Sequence, residues 1–145
     1  MGILVNIIAA EEDEVESIGE SLDPVDEWSG ITLRDVSIAK IATLHCLLTG
    51  DLFDDALVCY EPIYISAAEG ALVLRMAEEL VERLAELDED ALDAVSTELA
   101  ATEEFESAGW EDEAIAEMLA SLVDLARLAE SQGQGLFVWM HPLRT

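Results

Sequence analysis

The sequence predicts an α+β protein, a small sheet of about three strands packed by about four helices in a single pair of layers. Three observations carry that prediction. Short apolar segments near the two ends, Ile3–Ile8 and Gly135–Met140, read as strands. Long stretches between them repeat apolar residues every three or four positions, the period of a helix with one buried stripe. The chain has 145 residues, 52% of them apolar, which suits one domain spanning 1–145. Folding at that size buries roughly 68–70% of the unfolded surface, enough for an ordinary core without disulfide or metal staples.

Taken in order, Ile3–Ile8 is short, β-branched and bounded by acids, as a buried strand should be. Glu11–Glu20 is a weakly amphipathic helix whose apolar positions are Val15 and Ile18. Asp23-Pro24 and Ser29-Gly30 mark a loop around Trp28. Val36–Leu48 is a strongly apolar helix that stops at Thr49-Gly50. An acidic loop follows. Tyr60–Ile65 reads as a strand, with Pro62 placing it at an edge or a strand start. Ser66-Ala67-Ala68-Glu69 has the form of a capping box, opening a helix to about Leu87 with Val73, Ala77, Leu80, Leu84 and Leu87 on one stripe. Asp88 caps a further helix to about Glu104. Trp110 precedes the longest helix, Glu111–Ser131, which Gly133 ends, and Gly135–Met140 closes the chain as a strand. Leu80, Leu84, Leu119, Leu122, Val138 and Trp139 are expected in the core.

The order of these motifs resembles the YfbM-like family, small bacterial proteins that form a domain of unknown function. Leu44-His45-Cys46-Leu47-Leu48-Thr49-Gly50 is similar to that family's LH-x-LLTG helix end. Ile63-Tyr64-Ile65-Ser66 resembles its YLTPE, and Gly135-Leu136-Phe137-Val138-Trp139-Met140 its glycine and apolar strand ending in Trp. Where the family shows Tyr-Pro before its second tryptophan, this chain has Ala108-Gly109 before Trp110. The resemblance implies an α+β fold and no established activity.

Residues that carry chemistry are scarce. His45 lies inside a helix, and Ile41, Ala42, Leu48 and Thr49 on its own face offer neither a metal ligand nor a catalytic partner. It is expected to be hydrogen-bonded near the helix end, where its cation would be favourable. His141, beside Pro142, is expected at the surface. Neither histidine is expected to reach both a carboxylate and a nucleophile in a cleft. Cys46 and Cys59 lack CxxC or Cys/His spacing and read as buried free thiols. Asp51, Asp54 and Asp55 lack the spacing and terminal Glu of an EF-hand loop. No phosphate loop, GxSxG elbow or CxxC occurs. Catalytic residues, metal ligands and cofactors are therefore all expected to be absent. Trp28, Trp110 and Trp139 are expected to pack in or against the core.

No stretch approaches the roughly 18 apolar residues of a membrane span. The apolar opening has no basic residue before it, and Glu11-Glu12-Asp13-Glu14 follows at once, unlike a secretory signal. Asn6 breaks a myristoylation motif. The expected location is cytoplasmic.

Charge is the outstanding property. Thirty-three acids face six bases, a formal net charge of −27 with Lys40 the sole lysine. That excludes direct binding of nucleic acid. An expected surface of about 7,300 Å² leaves roughly 270 Å² per net charge, a spacing near 16 Å and twice the physiological Debye length of about 8 Å. The DNA surface is about 2.5 times denser in charge. Only acids crowded onto less than half the surface would imitate it. The leading expectation is a non-enzymatic protein that captures a basic protein partner, of the inhibitor or immunity kind. The residues expected at its acidic face are Glu11, Glu12, Asp13, Glu14, Asp51, Asp54, Asp55, Glu103, Glu104 and Glu106. The alternatives are a housekeeping protein whose acidity suits a salty cytoplasm, an enzyme using an unrecognised site, and a nucleic-acid mimic.

Overall fold

The structure, a computed structural model, describes residues 4–21, 24–34, 36, 38–67, 70–107 and 109–141. Five strands form one antiparallel sheet: β1 (Leu4–Ala10), β2 (Ser29–Arg34), β3 (Tyr64–Ile65), β4 (Leu72–Arg75) and β5 (Gly135–His141). Their order is β2-β1-β5-β4-β3. The last strand thus inserts at the centre, paired along its whole length with the first, from Leu4↔His141 to Ala10↔Gly135. The helices among the described residues are α1 (Val15–Glu20), α2 (Pro24–Glu27), α3 (Ile38–Thr49), α4 (Phe53–Cys59), α5 (Glu78–Glu86), α6 (Glu89–Ala100), α7 (Glu103–Glu106) and α8 (Asp112–Gln132). A single 3₁₀ turn, Glu12–Glu14, precedes α1.

Strand periodicity explains the layers. Along β1, Val5, Ile7 and Ala9 enter one core while Leu4, Ile8 and Ala10 enter another on the opposite face. Along β5, Leu136, Val138 and Met140 join the first core, Phe137 and Trp139 the second. The larger core packs the sheet against α3, α5, α6 and α8; α1 and α2 cover the smaller one through Val15, Ile18 and Val25. The expected three strands and four helices in a single pair of layers are therefore corrected to five strands and eight helices among the described residues, with the sheet clad on both faces. A strand buried on both sides reads as a continuous apolar run, which is why β1 was legible.

Several expected elements hold. Asp88 caps α6, its carboxylate accepting the Ala91 N–H at 2.8 Å. α8 buries Ile115, Met118, Leu119, Leu122, Leu125, Ala126 and Ala129 as its stripe requires. Leu80, Leu84, Leu119, Leu122, Val138 and Trp139 are all buried. β3 is an edge strand, as Pro62 suggested, though it is shorter than Tyr60–Ile65.

Others do not. The expected helix from Ser66 to Leu87 is a hairpin followed by α5. Gly70 N–H donates to Ser66 O and Ser66 N–H to Ala71 O, closing the turn. Gly70 has φ 75°, outside the helical region and tolerated by glycine. Ala68 and Glu69 of the expected capping box lie outside the described residues. Val73 fits a helical stripe and a strand equally, and its burial with Trp139 in the second core shows the strand won. The expected loop around Trp28 contains α2 and leads into β2, while the acidic loop after Gly50 contains α4. Asp23 lies outside the described residues. At Gly30 an added Cβ would sit 2.6 Å from the Ile7 carbonyl oxygen, so β2 approaches β1 where a side chain has no room.

One arginine joins two helices. Arg127 on α8 donates from Nε to Ala85 O (3.0 Å) and from Nη2 to Leu87 O (2.6 Å). Carbonyls at the end of α5, which lack helical partners, thereby acquire donors.

Candidate functional site

The topology gathers acids at one end of the sheet. There β1 runs out, β5 begins, β4 ends at Arg75, α5 starts and α8 stops. The space between them is a cleft of about 670 Å³, lined by six carboxylates, from Glu11, Glu12, Asp13, Glu78, Glu82 and Glu130. Met76, Val81, Gly133 and Gly135 also line it, and Arg75 is the single cation on its wall among the described residues. Arg75 pairs with Glu12 between two well-exposed side chains, a bond worth little in high dielectric. Glu78 and Glu82 share a face of α5 one turn apart. Glu130 occupies the last turn of α8, where no basic residue offsets the negative end of the helix dipole. The field in the cleft is strongly negative.

Of the residues expected at an acidic face, the cleft takes Glu11, Glu12 and Asp13. Glu14 has a structural task instead. Its two oxygens accept the Glu11 backbone N–H (2.9 Å) and the Trp28 indole N–H (2.7 Å). Those bonds, the backbone one foremost, hold its carboxyl below the usual carboxylate value. Oxygens of Glu11, Asp13 and Glu14 approach within 4.8 Å of one another, the described grouping with spacing for an ion. Asp51, Asp54 and Asp55 lie exposed at the start of α4. Glu103 and Glu106 edge a shallow surface hollow at α7, with Glu104 half-buried between them. Asp51 and Glu104 both act on the Cys46 thiol, which burial chiefly pushes above its ordinary value. The sequence could not single out Glu78, Glu82 and Glu130, because nothing local distinguishes them from other helical acids.

His45 is hydrogen-bonded near the end of α3, as expected, and both partners come from outside its own helix face. The ring is buried, with Nδ1 2.8 Å from Tyr60 Oη and Nε2 2.7 Å from Asp51 Oδ2. A carboxylate accepts from Nε2–H, so Nδ1 of the neutral ring accepts the Tyr60 O–H. A carboxylate and a hydroxyl are therefore both within reach. Neither His45 nor Tyr60 lines the acidic cleft. Burial holds the Tyr60 hydroxyl well above its ordinary value and so keeps it protonated. The arrangement ties the end of α3 to both ends of α4. His45→Leu is expected to cost about 1–3 kcal/mol, since the buried Tyr60 hydroxyl loses its acceptor. The double variant with Tyr60→Phe should lose less than the two single losses combined. Urea denaturation of all three measures this; strict additivity would show that the bond carries no energy.

The other expectations resolve as follows. His141 is buried rather than at the surface, its ring centroid 5.6 Å from that of Trp139. Cys46 is half-buried and Cys59 exposed, so the expected burial of both thiols is corrected. Trp139 is in the second core with Trp28 packed against it; Trp110 packs on the first core and meets Phe105 edge-on at 5.4 Å. No helix among the described residues is long and apolar enough to cross a membrane.

The class is thus an α+β protein with a five-stranded antiparallel sheet clad by helices on both faces. No protein-family profile matches the chain, and no curated protein matches it. Its structure is similar to the crystal structure of YfbM from Escherichia coli, a protein of unknown function, with TM-score 0.47 and 14% identity, covering 94% of this chain and 99% of that one. YfbM is the protein whose group the sequence motifs resemble.

Proposed function

We propose that this protein is a non-enzymatic acidic binding protein that captures a basic protein partner, in the manner of an inhibitor or immunity protein. The observation that carries the reading is the cleft. Three segments distant in sequence converge six carboxylates on one concavity around a single arginine. A cleft lined by one sign of charge concentrates its field and steers an oppositely charged partner. Affinity should then fall steeply with salt, mainly through a slower on-rate. A basic protein retained from native lysate and released by moderate salt is the expected result, with retention lost in the variant E78Q/E82Q/E130Q. Equal retention by that variant would remove the cleft from the reading.

A second reading has its own observation. Partner binding predicted acids concentrated on one face, yet exposed acids occur on both sides of the sheet, at Glu16 and Asp26 as well as Glu79, Asp93, Glu117 and Asp124. Spread over 7426 Å², the net charge leaves roughly 275 Å² per unit, sparser than DNA. That distribution disfavours nucleic-acid mimicry and favours adaptation to a salty cytoplasm. Melting in low and in molar potassium chloride separates the two. At about 0.01 M salt the Debye length reaches roughly 30 Å and all charges repel together. Salt adaptation then predicts a melting temperature that climbs by tens of degrees with salt. A nearly flat response is expected for the binding protein.

A further inference from the structure

We propose that the segment from Leu52 to Ile65 is the anchoring surface for the partner: exposed apolar side chains interspersed with carboxylates, fitted to a cationic protein face that carries apolar side chains among its lysines and arginines. The proposal rests on the reading of the protein as an acidic binding protein and goes beyond the cleft.

Large apolar side chains exposed among the described residues are Leu52 (73%), Val58 (68%), Ile65 (61%), Ile63 (50%) and Phe53 (37%), all in this one segment. Scattered exposed apolar residues mean nothing, but such concentration marks an interaction site. The segment is also held firmly. Asp51 and Tyr60, at the two ends of α4, bond to the same buried histidine, His45. Beyond them, Tyr64 donates to Glu20 at 2.5 Å, which holds its hydroxyl up to about 12, and Ser66 N–H donates to Ala71 O. The apolar side chains are therefore exposed by a pinned backbone. Tyr64 packs against the second core, so its neighbours Ile63 and Ile65 turn to the other face of the sheet, at its outermost strand.

Charge selects the occupant. Asp51, Asp54, Asp55 and Glu61 are interspersed along the same stretch of chain, all exposed, and residues 51–66 contain no lysine or arginine. A second copy would set these four carboxylates against their own images, and a net charge of −27 against another. A cationic partner instead meets apolar side chains to desolvate and opposite charges among them, the pairing that builds a binding hot spot. β3 has two residues and follows Pro62, features that blunt an edge against strand addition, so the contact is made by side chains.

The test uses two synthetic peptides of equal charge, one alternating Lys and Leu, the other oligolysine. The full chain is titrated with each near physiological salt. Wild type is expected to bind the Lys–Leu peptide at least about tenfold more tightly than oligolysine. The variant L52S/V58S/I65S should lose that preference and keep its oligolysine affinity, with a melting curve confirming that it folds. Lys–Leu binding unchanged in the variant overturns the proposal. So does a wild-type dimer in sedimentation that the variant converts to monomer, since the occupant would then be a second copy. Binding of both peptides equally sinks the patch and leaves the acidic-binding reading standing. Binding of neither removes both.

Discussion

Replacing Trp139 with Ala is expected to lower the free energy of unfolding by about 3–5 kcal/mol. Trp139 is fully buried on β5, the central strand, and fills the smaller core with Phe137, Ile8 and Ile18. That core is closed by α1 and α2, which have only six and four residues. Helices so short have almost no stability of their own and depend on the surface they cover. Losing the indole should therefore detach them as well as leave a cavity. Urea denaturation gives the loss, and hydrogen exchange over residues 15–27 shows whether α1 and α2 open first. A loss below about 1 kcal/mol would mean that the small core collapses around the gap.

Leu122→Ala is expected to cost about 2–5 kcal/mol. Leu122 sits on the buried stripe of α8 in the larger core, beside Ile7, Met76 and Met118. A void of about 10 Å³ already lies among these side chains, so removing three carbons enlarges a space whose walls are fixed by the sheet. A measured loss below about half a kcal/mol would show that α8 presents another face to the sheet. The two substitutions lie on opposite faces and share no core, so their costs should nearly add. The double variant would lose about 5–10 kcal/mol, comparable to the whole stability of an ordinary domain. It is expected to be unfolded at room temperature.

The sheet shows which elements a sequence exposes to reading. β1 and β5 were legible because each is a dense apolar run buried on both faces. β4, equally apolar, was absorbed into a helical stripe because Val73, Ala77, Leu80 and Leu84 fit a helical period. Val73 belongs to the strand only because Trp139, far along the chain, pairs beside it. β2 carries only a short alternation, Ile31 and Leu33 against Gly30 and Thr32, and its place is fixed by the pairing of Ser29–Leu33 along β1 from Ala9 to Val5. α4 was hidden for a related reason. It buries Ala56 alone and leaves Leu52 and Val58 outside, so it lacks the stripe that marks a helix.

By itself the sequence determined the acidity, the α+β class, the buried faces of α5 and α8, the Asp88 cap and the two strands that pair first with last. Each of these is written in neighbouring residues, through period, cap or composition. Tertiary structure alone decided the partners of His45, because Asp51 and Tyr60 reach it from another element and not from its own helix face. It decided the acidic cleft too, since Glu12, Glu82 and Glu130 become neighbours only when β5 enters the sheet between β1 and β4. Convergence of remote residues depends on how the chain closes, and no local period or motif encodes that.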